Sequence, residues 1–248
     1  MGHLLVINPN TTTTVSALLQ QHVQAELSPA LKVHTVTARF GATYIASEAS
    51  YAVAQHAVLD AWAATLARDG RPDAVLIGCF GDPGLFALRE AAGVPVGGLA
   101  EAAFAAAAQH GRFAVVTGGE RWRPMLERLA LALGHGDALA GIHTVAPSGA
   151  ELAADPIGAQ ALLAEACHEA VSRFKAQAII LGGAGLAGLA AGIAPGLPVP
   201  LVDSVVAGAR WAIEGGRMDA GPRADTLDGS WQGLSWELEA LAGRQSDS

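Results

Sequence analysis

The sequence lacks the features that mark several classes of protein. It has only two cysteines, Cys79 and Cys167, in different contexts, which excludes a disulfide framework and a structural metal site built from thiolates. It has no apolar run of about 18 residues, the length that a membrane-spanning helix needs. Its formal net charge is −8, and no cluster of Lys and Arg is interleaved with aromatic residues. We therefore expect neither a membrane nor nucleic acid as a partner.

Signals for targeting and for a cofactor are scarce as well. The start MGHLLVINPN has no basic region followed by a cleavable apolar segment, so we expect a cytoplasmic location with both thiols reduced. The eight histidines form no HxxxH or HExxH spacing, which argues against a metal site. The Gly-rich segment 182–188 is similar to a dinucleotide-binding loop, but the first βα unit has no such fingerprint, and the GxSxG elbow of serine hydrolases is absent from the sequence. We expect no cofactor and no metal.

Short apolar strands alternate with Ala-rich helices along the chain. This alternation is typical of an α/β fold in which helices cover both faces of parallel sheets. A connector is expected over residues 215–229, followed by a terminal helix over 231–241. The predicted strands span 3–7, 31–37, 74–77, 113–117, 142–145, 178–181 and 199–202, and the clearest helices span 48–68, 99–110 and 159–175.

The chain also contains an internal repeat. Segments 73–103 and 177–207 both run from an apolar strand into a Gly-rich turn, a short helix, a Pro-containing strand and another helix. In this alignment Cys79 corresponds to Gly183. Ala/Gly-rich sequences give many chance matches, but here the order, the spacing and the type of turn agree together.

A second, weaker echo links INPNTT, which begins at Ile7, with VVTGGE, which begins at Val115. Together the two echoes predict two similar lobes related by a pseudo-twofold axis, with their Gly-rich turns facing each other across a cleft. Such a cleft can hold a small planar ligand. The predicted first lobe comprises residues 1–98 and 204–248, and the second comprises residues 99–203.

Cys79 is the main candidate for chemistry. It ends the strand DAVLIG, at the carboxyl edge of a parallel sheet, where ligands bind in open α/β folds. Pro83 suits the first turn of a following helix, whose N-terminus would lower the pKa of the thiol, and Asp82 is expected to cap that helix. The alternative is a small buried hydrophobe. Cys167 lies in the middle of a helix on its apolar face, which favours core packing.

Two loops and three aromatic residues are further candidates. Asn8 and Pro9 begin a loop that can cap the next helix and can also present N–H groups to an anion or an amide. Thr117, Gly118 and Gly119 occupy the equivalent place in the second lobe. An apolar or aromatic wall of the ligand site is suggested by Phe40, Tyr44 and Phe80, although each of them could equally pack in the core.

Four motifs resemble those of hydantoin racemases, within the superfamily that also holds aspartate and glutamate racemases, arylmalonate decarboxylase and maleate isomerase. They are INPNTT, FGATYIASEASYAVAQHA, GCFGDPGL and VVTGGE. The resemblance implies two Rossmann-like lobes with the active site between them, a small-molecule substrate, no cofactor and a homo-oligomer. It also implies two cysteines on opposite faces of the substrate carbon. Backbone N–H groups beside each of them, here including Gly81 and Ala184, would hold carbonyl groups of the substrate.

The second thiol of that pattern is missing. The resemblance implies a motif of the type LGCAGL, whereas this chain has LGGAGL with Gly183 at the cysteine position. An engineered racemase, a natural enzyme with one thiol, or a second acid from water or another side chain would each explain this departure. The sequence thus indicates a racemase-like enzyme acting next to a carbonyl of a hydantoin or related cyclic ureide. The alternatives are a stereoselective arylmalonate-type decarboxylase with Cys79 as sole proton donor, and a binder of small ligands without turnover.

Overall fold

Two parallel sheets of four strands each form the centre of the molecule. A computed structural model describes residues 2–146, 149–214 and 231–242. The strand order is β2-β1-β3-β4 in the first sheet and β6-β5-β7-β8 in the second, and every strand pair is parallel. This confirms the α/β class. The strands are β1 (His3–Asn8), β2 (Lys32–Thr37), β3 (Ala74–Ile77), β4 (Val96–Gly98), β5 (Phe113–Gly118), β6 (Leu139–Val145), β7 (Ala178–Leu181) and β8 (Leu201–Asp203).

Helices connect the strands and cover the sheets. The longest helix begins after Ser47, which forms a reciprocal capping box with Ser50. None of the helices in the described ranges is both long enough and apolar enough to span a bilayer. The helices are α1 (Thr13–Glu26), α2 (Glu48–Asp69), α3 (Leu85–Ala91), α4 (Leu99–Ala108), α5 (Trp122–Ala132), α6 (Gly149–Ala154), α7 (Pro156–Phe174), α8 (Ala190–Ile193), α9 (Ser204–Glu214) and α10 (Trp236–Ala242), with 3₁₀ turns at Ala184–Leu186 and Ala194–Gly196.

The two sheets repeat the same local connections. In the first sheet β3 pairs with β1 on one side and with the short β4 on the other, and in the second sheet β7 pairs in the same way with β5 and the short β8. The N–H of Gly78, just after β3, donates to the carbonyl of Ile7 at 2.8 Å, and the N–H of Gly182, just after β7, donates to Val116 at 2.9 Å. Cys79 and Gly183 therefore occupy equivalent places at the carboxyl ends of the two sheets. The lobe boundaries expected from the sequence stay a prediction.

Several boundaries differ from those expected. The prediction of a helix starting at Pro83 is wrong: α3 begins at Leu85, because Gly84 adopts a left-handed conformation just before it. The C-terminal helix begins at Trp236 rather than at residue 231. The connector expected over 215–229 lies outside the described residues.

The core consists of apolar clusters on both faces of the sheets. One large cluster joins the lobes through α4, whose Phe104 packs on Phe113 of β5 and on Phe80. Cys167 is fully buried in a separate cluster of the second sheet, as expected. At the far side, Arg39 binds Asp60 of α2 and Glu237 of α10, which fastens the C-terminal helix beside the loop that follows β2.

Candidate active site

A pocket lies between the carboxyl ends of the two sheets. It contains about 670 Å³ of space not filled by protein atoms, part of it open to solvent. Both lobes contribute to its wall, which is formed at the carboxyl ends of β1, β2, β3, β5 and β7 by the last residues of β5, the loops that follow these strands and the first turns of α1 and α5. Its lining residues are Asn10, Thr12, Val15, Thr43, Tyr44, Ile45, Gly78, Cys79, Phe80, Thr117, Gly118, Trp122, Gly182, Gly183, Ala184, Gly185 and Leu186.

Cys79 and Gly183 face this pocket from the two sheets. Cys79 follows β3 by two residues and keeps 9% of its surface exposed. Beside it, the N–H of Phe80 meets no acceptor in the described part of the chain, and the same holds for the N–H of Ala184 beside Gly183. The pocket wall thus includes one thiol and, in each lobe, a residue with an unpaired backbone N–H. Such donors can stabilise an oxygen on which negative charge develops.

The thiol of Cys79 is neutral in this pocket at pH 7. Burial raises its pKa, and the carboxylate of Asp82 raises it further. The expectation that a helix N-terminus lowers this pKa is therefore wrong. Burial and the carboxylate of Asp82 set the direction of the shift, and the helix N-terminus lies farther along the chain than expected, since α3 begins at Leu85. A protonated thiol is suited to deliver a proton, whereas abstraction first requires its ionisation.

Gly183 has a backbone conformation that favours glycine. Its φ is +150°, and an added Cβ would lie 3.2 Å from Cγ of Leu186. Its N–H donates to the hydroxyl of Ser204 at 3.2 Å. Cys79 has no such positive φ, so the two equivalent positions differ in backbone as well as in side chain.

The loop after β1 contributes different residues from those expected. Asn8 is fully buried and does not line the pocket: its amide donates to Asn10 Oδ1 at 3.1 Å and to Ser16 Oγ at 3.0 Å. Pro9 does not line it either. Asn10 and Thr12 do, and the N–H of Thr12 donates to Asn10 Oδ1 at 2.9 Å. Asn8 therefore shapes the loop that places Asn10 and Thr12.

Most of the other expected residues do lie at the pocket. Tyr44, Phe80, Thr117, Gly118 and Ala184 all line it.

The remaining three lie outside its wall. Phe40 packs edge-on against His56, with ring centroids 4.9 Å apart, and borders a separate cavity beside the Arg39 cluster. Gly81 lies behind the Cys79 turn, where its carbonyl accepts from the Tyr51 hydroxyl at 2.8 Å. Gly119 donates its N–H to the carbonyl of Val145 at 3.0 Å, where the chain turns toward α5.

Trp122 is the largest lining residue that sequence reasoning missed. It starts α5 in the second lobe and is 5% exposed. Its ring meets Tyr51 of the first lobe edge-on at 6.3 Å between centroids, and it fills the space that a side chain at Gly81 would need. The only signal in the sequence is its place four residues after Gly118, just beyond the segment VVTGGE that is equivalent to INPNTT.

The pocket wall carries little charge. Among the lining residues only Cys79 and Tyr44 have ionisable side chains. No group of His, Cys, Asp and Glu suited to a metal ion occurs in the described ranges. The wall instead offers apolar rings, hydroxyl and amide groups and backbone N–H groups, a set that suits an uncharged polar ligand with an apolar substituent.

A family model described as Asp/Glu/Hydantoin racemase matches residues 4–212. The chain belongs to this family. It is 32% identical to a hydantoin racemase of Pseudomonas sp. (strain NS671) over 84% of this chain and 83% of that one. Family membership makes it an enzyme of the racemase type that acts on small molecules.

Solved structures agree with the family assignment. An allantoin racemase from Klebsiella pneumoniae superposes with a TM-score of 0.85 and 29% identity, covering 97% of this chain and 99% of that one. A liganded arylmalonate decarboxylase variant, in which one glycine is replaced by cysteine and one cysteine by serine, has a TM-score of 0.62 and 19% identity over 90% and 97% of the two chains. That second likeness shows a shared fold.

Proposed function

We propose that this racemase-family enzyme transfers a proton at the carbon next to a carbonyl of a 5-substituted hydantoin or a related cyclic ureide. In this proposal Cys79 is the acid/base group, and Gly183 occupies the place of a second thiol. The observation that carries the proposal is the thiol of Cys79 at the wall of a pocket between two equivalent sheet ends.

The groups around Cys79 suit this chemistry. Loss of a proton next to a carbonyl builds an enolate, which needs a base at the carbon and donors at the oxygen. The N–H groups of Phe80 and Ala184 supply donors, one from each lobe. The lining residues include no Lys, Arg or His, so the ligand they fit best is neutral. A cyclic ureide is neutral and carries carbonyl oxygens for these donors.

With one thiol, the proton is removed from C5 and returned to it on the same face of the ring. The thiolate of Cys79 takes the C5 proton and leaves an enolate whose negative charge lies largely on the carbonyl oxygen. The resulting thiol exchanges its proton with solvent and returns a proton to the same face of C5. Gly183 offers no acid to the opposite face, so the enantiomer is preserved while its C5 hydrogen is exchanged. Full racemisation is correspondingly slow.

Deuterium exchange tests this proposal directly. Each enantiomer of a 5-substituted hydantoin is incubated in D₂O with the enzyme, and deuterium at C5 and optical rotation are followed separately. We expect one enantiomer to gain deuterium faster than it loses rotation. Cys79→Ala should abolish the exchange above the enzyme-free rate.

The matched control is Cys167→Ala, which removes the other thiol from the core of the second sheet. It should leave exchange within about twofold of the starting protein after correction for folded fraction. Exchange that survives Cys79→Ala, or that is absent with both enantiomers across a panel of hydantoins, contradicts the proposal.

A decarboxylase is the second candidate. Decarboxylation of a disubstituted malonate needs one proton donor, and Cys79 is protonated at neutral pH because of its raised pKa. Against it stands the lack of a cationic side chain among the lining residues, since a malonate carries two carboxylates. Release of CO₂ from an arylmalonate, lost in Cys79→Ala, would favour this candidate over the first.

A further inference from the structure

Asp82 is a buried carboxylate in the loop that carries Cys79. Only 1% of it is exposed. Its N–H donates to the carbonyl of Cys79 at 3.0 Å, and its own carbonyl accepts from the N–H of Leu85 at 3.1 Å. Its φ of +50° is unusual for a residue other than glycine. The surrounding structure must therefore hold this conformation.

The carboxylate of Asp82 binds the first turn of α4. Oδ1 accepts from the N–H of Ala100 at 2.9 Å, and Oδ2 accepts from the N–H of Glu101 at 2.8 Å. Gly98, which precedes the helix, has no side chain to cap it, and a Cβ there would overlap the Asp82 carboxyl group. Asp82 and Gly98 are therefore fitted to each other.

In the second lobe, the helix that follows the short edge strand is capped in a different way. There α9 is capped from the adjacent residue, since Asp203 Oδ1 accepts from the N–H of Val205 at 2.8 Å. The residue equivalent to Asp82, three positions after Gly183, is Leu186, which is apolar and lines the pocket. In the second lobe the carboxylate that joins loop and helix thus belongs to the helix end, where Asp203 Oδ2 also accepts from the N–H of Gly188 at 3.2 Å, whereas in the first lobe it belongs to the loop that carries the thiol.

We propose that Asp82 is a positioning residue for the thiol of Cys79, because it fastens the loop 79–84 to the first turn of α4. This inference rests on the proposed function, in which Cys79 moves the proton. Through Asp82 the thiol is held to the helix that joins the lobes, so its place relative to Gly183 on the opposite wall is fixed. A displacement of about 1 Å of such a group can cost roughly 100-fold in rate.

The charge of Asp82 also acts on the thiol. Burial raises the pKa of its carboxyl to about 7, although the N–H groups of Ala100 and Glu101 favour the ionised form. When ionised, Asp82 raises the pKa of Cys79.

The other titratable groups around Asp82 do not neutralise it. They are Tyr51 of α2, whose pKa is raised mainly by burial and also by Asp82, and Glu101 of α4, which is engaged by Arg89 of α3 at 2.7 Å. No salt bridge to Asp82 occurs in the described residues. The pKa of Cys79 therefore depends on whether Asp82 is ionised.

Asp82→Asn tests the inference in the intact chain. An amide can accept from one of the two N–H groups, but its NH₂ repels the other donor. We expect kcat for hydantoin exchange to fall at least tenfold with KM within twofold. In a Cys167→Ala background, alkylation of Cys79 by iodoacetamide at pH 8 should become about tenfold faster, because the opposing negative charge is gone. A purely structural role moves neither quantity once the folded fraction is taken into account.

Asp203→Asn is the matched control, since it weakens the cap of α9, and the groups that Asp203 binds, Gly188, Val205 and Val206, do not line the pocket. It should lower Tm but leave kcat and alkylation unchanged. If Asp82→Asn behaves like Asp203→Asn in all three measurements, the inference is overturned.

If Asp82→Asn does not fold, the inference is tested in the Cys167→Ala variant, in which Cys79 is the remaining thiol. The logarithm of the Cys79 alkylation rate should rise with pH less steeply between about pH 6 and 8 than above it, because Asp82 ionises there and opposes the thiolate. A uniform slope of one contradicts the inference. Alkylation needs no turnover, so a protein that shows this profile but exchanges no hydantoin would count against the proposed function alone.

Discussion

The ring of Phe80 lies in the space that a side chain at Gly182 would occupy. Phe80 directly follows the thiol in the first lobe, and Gly182 directly follows β7 in the second, so the two halves of the pocket touch through a glycine. Phe104 packs edge-on against Phe80 with ring centroids 6.0 Å apart, and it is fully buried. The Phe80 ring therefore has little space into which it can move.

Gly182→Ala should therefore disturb both the fold and the site. The added methyl group forces Phe80 away from the second lobe, and overpacking of this kind costs about 1–3 kcal/mol in the free energy of unfolding. Exchange activity per folded molecule should fall as well, since Phe80 borders the pocket. Gly196→Ala, where a Cβ meets nothing within 4 Å, should be neutral in urea denaturation and in exchange. Equal effects of the two substitutions would refute the contact.

Gly183→Cys restores a thiol to the second lobe but places it on a strained backbone. Because φ is +150°, either Cys or Ala should destabilise the protein by about 1–3 kcal/mol. The comparison that matters is Gly183→Cys against Gly183→Ala, which share the strain and differ in the acid. We expect racemisation of a hydantoin to be roughly 100-fold faster in the cysteine variant, the usual contribution of a placed acid. Polarimetry measures it, and equal rates would show that the position does not face C5.

Trp122→Ala should enlarge the pocket from the side of the second lobe. Loss of this buried ring costs about 3–5 kcal/mol in stability, so urea denaturation must accompany each assay. Among the molecules that stay folded, kcat/KM should shift toward hydantoins with bulkier C5 substituents. Trp236→Ala is the control, because that ring is 69% exposed on α10. A preference that does not change would place the substituent elsewhere in the pocket.

Arg39→Met should destabilise the protein in a manner that depends on pH. Asp60 is buried, which by itself disfavours its charge, but hydrogen bonds from Arg39 at 2.7 and 2.8 Å hold its pKa below the usual value. Its contribution to stability is thus present above about pH 4 and is lost as the pH falls below that value. We expect a loss of roughly 2 kcal/mol at pH 7 that shrinks toward pH 3. Arg68→Met breaks an exposed pair with Asp69 and should have little effect at either pH.

The fold could be predicted from the sequence where local pattern decides it. Strands β3 and β7 are short apolar runs that end in glycine, and the structure gives them the predicted limits. Cys79 and Gly183 follow at the sheet ends, because parallel strands of one sheet end at the same edge. The repeat then places the two residues on facing walls.

The details of the site depend on contacts between distant segments. Asn8 and Asn10 both follow β1, but a buried amide network, which leaves no local signature, turns Asn8 inward and leaves Asn10 at the pocket. Trp122 reaches the wall because its ring packs across the lobes against Gly81 and Tyr51. The capping partner of Asp82 lies 18 residues away rather than in its own turn. In each case a partner remote in sequence decides where the side chain goes.

The ion pair of Arg39 with Glu237 joins positions 198 residues apart. Arg39 begins the loop that brings Thr43, Tyr44 and Ile45 to the pocket, and that loop leaves the ribosome long before residue 237 does. A chain still being synthesised therefore carries a nearly complete first sheet whose pocket wall has yet to receive its last anchor. We therefore expect the pocket of the nascent protein to reach its full affinity for a ligand only after the helix at 236–242 has been synthesised and has docked.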